Sequence, residues 1–442
     1  MSHSTIKVYM FLKKVKFHCF SHSSSRSGVL RIGNEGSKVL SRNCYFLFFF
    51  FSKKTLYDAV CKMMFRALYV ASFLLSCFET NAIRVSRKDV SPSTIMTIET
   101  EYGDVYECVD FYKQPTFNHP LLKNHSFYPG MRPTSRPKWI QNNDVSLRKN
   151  ERPANVILLK DGGCPPGTVP IRRGNDKDNI SRTENHLNHS AERVNPNGGT
   201  EYISGTVYAL GQTKSNPWKN YYGVGGVFSI YNPRVFLSQY SSGEIIIRGG
   251  GDSIIAGWTV NPSKYKDNLT RFFIYAVAGD LHCFNSECGF IIVRSDILLD
   301  FVMHPISKRG GQIFVNKFFI YQEKVSGNWW LEVAMYPPIA VGFWPNDIFE
   351  GLKKSATYAA CGGEINTIAT LPPPEMGAGA YPDFAPAMNM DAYCTDFVVV
   401  NENYSVVDAA DTEAYANNPN YGAFDVHMRG KSKKHVVTFG GP

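Results

Sequence analysis

The residues best suited to chemistry in this 442-residue chain are its carboxylates. The sequence holds no G-x-S-x-G elbow, no H-E-x-x-H pair and no Walker loop. Gly249-Gly250-Gly251 follows a strand-like run but precedes no helix, so it reads as a turn rather than a phosphate cradle. No Ser/His/Asp order stands out. What remains is acid–base work by two carboxyl groups. Brought close together, they split their pKa values, so that one activates water while the other donates a proton. Which glutamates meet is a matter of fold rather than of spacing. A zinc site at Cys283-x4-Cys288 with the adjacent His282 lacks a second tight Cys/His pair, so neither metal nor other cofactor is expected.

The elements that must position such a pair are strands. Runs rich in Val, Ile, Phe, Tyr and Trp recur at 202–210, 223–231, 244–248, 271–277, 289–294, 312–322, 329–335, 396–400 and 435–439, separated by Gly, Pro, Asn or Ser. With 36 Gly, 25 Pro and 14% aromatic residues, the chain is neither disordered nor a helical bundle. One segment reads as helical, Pro345–Ala360, where Asn346 can cap and Ile348, Phe349, Leu352 and Ala356 share a face. The expected class is all-β, an antiparallel jelly-roll-like β-sandwich with a short helix, preceded by a smaller domain. Residues 83–194 read as that smaller domain and a turn-rich linker containing Arg172-Arg173, and residues 195–442 as the sandwich.

The net charge of +9 at first suggests an anionic partner. Residues 1–82, however, hold 12 basic and three acidic residues, so the whole excess lies there. The rest is balanced, which argues against nucleic acid. Residues 63–82 have the order of a secretory signal: Arg66, an apolar stretch from Ala67 to Phe78, and a small residue, Ala82, at the end. That stretch is too short to span a bilayer, so a membrane role is not expected. Residues 1–62, with a Ser-rich stretch and the aromatic run Phe46–Phe51, read as a doubtful extension outside the mature chain.

Six cysteines follow the signal: Cys108, Cys164, Cys283, Cys288, Cys361 and Cys394. An even number in a secreted chain suggests disulfides. Cys283 and Cys288 can close a small loop. With that pair set aside, Cys108–Cys164 and Cys361–Cys394 are the working expectation among several connectivities. Five N-x-S/T sequons, at Asn124, Asn179, Asn188, Asn268 and Asn403, fit a glycosylated protein that is secreted, extracellular or vacuolar.

Several motifs, in order, resemble one family. In the leading part they are Cys108-Val109-Asp110-Phe111-Tyr112-Lys113-Gln114-Pro115, His119-Pro120-Leu121-Leu122-Lys123-Asn124-His125 and Cys164-Pro165-Pro166-Gly167. In the body they are Ala256-Gly257-Trp258, Cys283 to Phe290, Gly327-Asn328-Trp329-Trp330, Val341-Gly342-Phe343-Trp344-Pro345, Gly362-Gly363-Glu364 and the terminal Phe439-Gly440-Gly441-Pro442. Together these resemble the neprosin family, plant secreted glutamic peptidases that cleave after proline. The resemblance covers about residues 93–442. It implies a zymogen whose own pro-domain precedes a catalytic β-sandwich.

The resemblance also implies a catalytic pair of glutamates. Glu364 matches one. The other is expected directly before Ala256-Gly257-Trp258, where this chain has Ile255. An isoleucine can neither accept nor donate a proton. Glu244, on a strand-like run that shares a face with Ile246 and Arg248, is the candidate substitute if that run pairs with 254–258. Trp258, Trp330 and Trp344 are candidate substrate-binding walls for a proline ring. Two functions follow. One is a secreted prolyl endopeptidase acting on proline-containing peptides or proteins. The other is a lapsed relative that only binds proline-rich peptides or cell-wall proteins.

Overall fold

The computed structural model describes residues 84–86, 94–139, 151–154, 159, 163–173, 204–216, 218–287, 289–333, 337–383, 389–427 and 435–442. The proposed extension, the signal segment and the sequons at Asn179 and Asn188 lie outside these residues. The chain divides into two units, 1–80 and 81–442, and all the described residues belong to the second.

Two antiparallel sheets face each other across a core of Val, Ile, Phe and Trp side chains. The first runs, in spatial order, through Leu281–Phe284, Arg271–Ala278, Asp252–Val260, Tyr240–Gly249, Tyr358–Thr367, Gly205–Thr213 and Thr412–Ala416. The second is larger. Its centre is Trp329–Val333, Ile313–Gln322, Gly223–Ser229 and Ala392–Val400, and His435–Gly441 pairs with the last of these. The all-β sandwich expected from the strand runs is therefore present. The pairing of Tyr240–Gly249 with Asp252–Val260, on which the choice of Glu244 depended, is present too.

The short helix lies elsewhere than expected. It is Pro262–Tyr265, started by the Asn261 side chain, which accepts from the Lys264 N–H. The expected helix Pro345–Ala360 is absent: Asn346–Ile348 forms one 3-10 turn, and Tyr358 already begins a strand. The cause is tertiary. Asp252 Oδ2 accepts from the backbone N–H groups of Glu350, Gly351 and Leu352, at 2.8, 2.7 and 3.1 Å, which commits them to a loop.

The leading segment forms its own four-stranded sheet from Arg84–Ser86, Thr94–Glu99, Val105–Asp110 and Thr168–Arg172. The expected disulfide Cys108–Cys164 closes it. Its side chains reach the sandwich at buried points. Tyr106 donates to the Leu299 carbonyl at 2.7 Å, and Gln114 pairs with both the N–H and the C=O of Ile292. Asp104 bridges Arg172 of this sheet to Arg271 of the sandwich, and Arg271 is 1% exposed. Glu151–Pro153 and Lys138–Trp139 add parallel strands to the larger sheet.

The expected Cys361–Cys394 disulfide is not formed. Both thiols are free and buried, one on each facing sheet, in hydrogen-bond contact. Cys283 is disulfide-bonded, and its expected partner Cys288 lies outside the described residues. No described helix is long and apolar enough to cross a membrane.

Candidate active site

The outer face of the first sheet carries a cavity of about 440 Å³. Glu244, Glu364 and Ile255 all line it. Strand alternation explains why. On Tyr240–Gly249, Ser242 and Glu244 face the cavity, while Gly243 faces the core, where the Trp258 ring packs over it. On Tyr358–Thr367, Gly363 faces the core against Met376 and Phe439, which turns Glu364 outward.

Register then brings the two carboxyls together. Glu244 lies across from Gly362, and Glu364 across from Ser242, so the glutamates are diagonal neighbours on adjacent strands. Gly362 supplies the space. Its φ of +152° disfavours a side chain, and a Cβ there would meet the Ala209 carbonyl oxygen at 2.3 Å. The Glu244 carboxyl is in hydrogen-bond contact with that of Glu364. Glu244 is 1% exposed and Glu364 7%. Two carboxylates cannot share a hydrogen bond unless one is protonated. Burial first, and then the Glu364 charge, push the Glu244 carboxyl well above the usual carboxylate range, and Arg248 opposes them. Glu244 is therefore the proton holder.

The surroundings fix Glu364. The Tyr240 hydroxyl donates to Glu364 Oε1 in a short hydrogen bond. Burial and the Glu364 charge raise the Tyr240 phenol far above its ordinary value, so it stays a donor. Tyr208 is raised by burial and by Glu364, and Arg248 offsets part of this. Glu244 Oε1 is buried with no hydrogen-bond partner, a costly state that calls for a functional reason.

The other walls differ from the expected ones. Trp258, Trp330 and Trp344 are buried in the core at 0, 0 and 1% exposure and do not line the cavity. Trp258 Nε1 donates inward to the Ser229 carbonyl, because alternation puts it on the opposite face from Gly257 and Thr259. The aromatic walls are instead Tyr208, Tyr240, Phe273, Tyr275 and Phe284. Their signal in the sequence was the alternation of 271–277 together with the pairing to 252–260, which places Phe273, Tyr275 and Val277 beside Ile255. Ile255 lies across from Ile246 and packs among these apolar groups.

The fold and site define a two-sheet β-protein with a buried carboxyl pair in an outer cavity and a leader docked on the sandwich. Residues 237–442 match Neprosin, and residues 97–205 match the Neprosin activation peptide. The chain belongs to the neprosin family, with an activation domain preceding the catalytic domain. Solved structures with some similarity include Scytalido-glutamic peptidase with a peptide-based transition state analog, at 8% identity and a TM-score of 0.30, covering 54% of this chain and 99% of that one. Another is SCP-B, a member of the Eqolisin family of peptidases in complex with the tripeptide Ala-Ile-His, at 7% identity and a TM-score of 0.29, covering 54% of this chain and 98% of that one.

Proposed function

We propose that this protein is an active glutamic peptidase in which Glu244 replaces the glutamate missing at Ile255. The observation that carries this reading is the hydrogen-bonded contact of the Glu244 and Glu364 carboxyls within one cavity. Glu364, as the carboxylate, takes a proton from a water molecule attacking the scissile carbonyl. Glu244, as the neutral acid, donates its proton to the developing carbonyl oxyanion. Protonated Glu364 then passes its proton to the leaving nitrogen as the C–N bond breaks, and a hydroxyl of the collapsing diol returns its proton to Glu244. Tyr240 positions Glu364 throughout.

The apolar side of the cavity, Ile255, Phe273, Val277 and Phe284, suits a proline ring beside the scissile bond. This supports cleavage of proline-containing peptides or proteins. The exposed sequons at Asn124, Asn268 and Asn403 support a glycosylated, secreted or vacuolar protein. The leader, docked through Asp104, Tyr106 and Gln114, supports a zymogen held by its own pro-domain.

The test is to express residues 83–442, acidify to allow activation, and supply a proline-containing peptide. Cleavage abolished by Glu364→Gln and by Glu244→Gln supports the reading. Absence of cleavage by the wild type, with cleavage gained in Ile255→Glu, supports the lapsed binder instead.

A further inference from the structure

A second cluster lies on the larger sheet, where the chain crosses from it to the outer edge of the first. Asp408 ends the strand Ser405–Asp408 of the larger sheet, and Thr412 begins the outermost strand of the first. His427 and His435 stand directly across from one another on paired strands. One ligand atom from each of Asp408, His427 and His435 lies within 4.8 Å of the other two.

The hydrogen-bonding partners give these imidazoles a direction. His435 Nε2 meets Asp425 Oδ1 in a hydrogen bond, and His427 Nε2 lies 3.3 Å from Thr412 Oγ1. Both Nδ1 atoms turn toward one carboxylate. His427 Nδ1 is 3.4 Å from Asp408 Oδ2, and His435 Nδ1 is 3.6 Å from Asp408 Oδ1. His435 is wholly buried, and its Nδ1 has no hydrogen-bond partner. A distance of 3.6 Å is too long for a hydrogen bond. That unpartnered ring nitrogen faces the Asp408 carboxylate, and a metal ion held between them satisfies both. Ligand atoms around a tetrahedral zinc lie roughly 3.3 Å apart, given metal–ligand distances of about 2.0–2.1 Å. The two imidazole nitrogens lie 3.4 and 3.6 Å from the two Asp408 oxygens, and one ligand atom of each residue lies within 4.8 Å of the others.

We propose that Asp408, His427 and His435 form a binding site for one divalent transition-metal ion of the zinc class. Asp425 and Thr412 act as positioning residues that fix the two imidazole rings. Two nitrogen ligands and one oxygen ligand disfavour calcium and magnesium, which prefer oxygen alone. Asp408 is 59% exposed and His427 49%, so the remaining coordination position is open to water. The ion ties the end of the strand Ser405–Asp408 to the paired strands Gly422–His427 and His435–Gly441 within the larger sheet. None of its ligands belongs to the glutamate cavity, so this site stands or falls independently of the peptidase reading.

The test uses the full chain, stripped by a chelator and titrated with zinc chloride in a calorimeter. Cobalt(II) is added in parallel and its visible absorption followed. The expected result is one zinc per chain, a tetrahedral cobalt spectrum and a rise in melting temperature with zinc. His427→Ala and Asp408→Ala, both at exposed positions, are expected to weaken zinc by more than about tenfold, and Asp425→Asn by about tenfold or more. Circular dichroism checks that each variant folds. A wild-type chain that takes up no zinc overturns the proposal, and so does zinc binding that survives both exposed substitutions unchanged.

Discussion

Glu244 lies directly across from Gly257 on the adjoining strand, and the fit leaves no room for a side chain at Gly257. A Cβ at 257 would come within 2.1 Å of the Gly243 carbonyl oxygen and 2.8 Å of the Glu244 Cα. Both obstacles are backbone, so the strands must part to admit it. Gly257→Ala is expected to cost about 1–3 kcal/mol by overpacking. It also moves Glu244 away from Glu364, and a displacement of about 1 Å can cost on the order of a hundredfold in rate. Thermal melts and kcat/KM measured on the same preparation check both effects. Unchanged kcat/KM would show that the position of Glu244 does not matter to turnover.

The shared proton makes the pair sensitive to pH. Glu244 has a folded-state pKa raised above its unfolded value, chiefly by burial and by Glu364. Its contribution to stability is therefore full below the ordinary glutamate pKa of about 4.3 and is lost as pH rises through the higher folded value. Peptidase activity needs the protonated form, so it falls over the same rise. Glu244→Gln is expected to flatten the dependence of melting temperature on pH and to lower activity by about 10²–10⁴-fold. The double variant with Glu364→Gln is expected to lose little more than either single one, because the two act as a unit.

Much of this was legible in the sequence through strand alternation. The runs at 223–231, 271–277 and 312–322 became strands because they are rich in Val, Ile, Phe and Tyr and are bounded by turn residues. Alternation also placed Glu244 on one face with Ile246 and Arg248. The strand Tyr358–Thr367, which carries Glu364, was hidden at its start because Ile348, Phe349, Leu352 and Ala356 fall at helical spacing. Only the distant Asp252 carboxylate decides against the helix there. The tryptophans misled for a related reason. Their type suits a peptide cleft, but the face they take is set by register, and register turned Trp258 to the core. The short sequence interval between Asp408 and Thr412 carries no mark of a sheet crossing, and His427 and His435 meet only through strand pairing.

Ile255 offers a direct check on which pair works. It packs with Ile246, Phe273, Tyr275 and Val277, one diagonal step from Glu244. Ile255→Glu puts a third carboxyl into this apolar wall beside two existing ones. The expected result is destabilisation of about 1–3 kcal/mol and no gain in peptide cleavage over the wild type. A rise in kcat/KM would instead show that Glu244 does not serve as the acid.

Cys361 and Cys394 face one another from the two sheets, on strands that also carry Glu364 and the core residue Phe397. Burial pushes both thiols above the ordinary cysteine range, Cys361 farther because Cys394 adds to the effect. A raised pKa leaves little thiolate, so both are expected to resist alkylation in the folded protein. Iodoacetamide treatment followed by peptide mass spectrometry reads this position by position. The expected pattern is negligible modification of both cysteines in buffer and full modification of both in denaturant.

The docked leader allows a last test. Asp104 is the carboxylate through which the leader sheet reaches Arg271, whose guanidinium is also held by Asp267 and by the Asp300 carbonyl. Asp104→Ala leaves Arg271 buried with one ionic partner fewer, and Arg172 loses its partner in the same step. Breaking such a buried pair costs about 3–5 kcal/mol when nothing else compensates. Asp267 remains, so the low end of that range is expected. The loss falls on the contact between leader and sandwich rather than on the sandwich core. Limited proteolysis should therefore cut the leader of Asp104→Ala several-fold faster than that of the wild type while the 205–442 core stays intact. Equal cleavage rates would mean that Tyr106, Gln114 and Thr116 hold the leader without Asp104, through their bonds to the Leu299, Ile292 and Phe290 backbone.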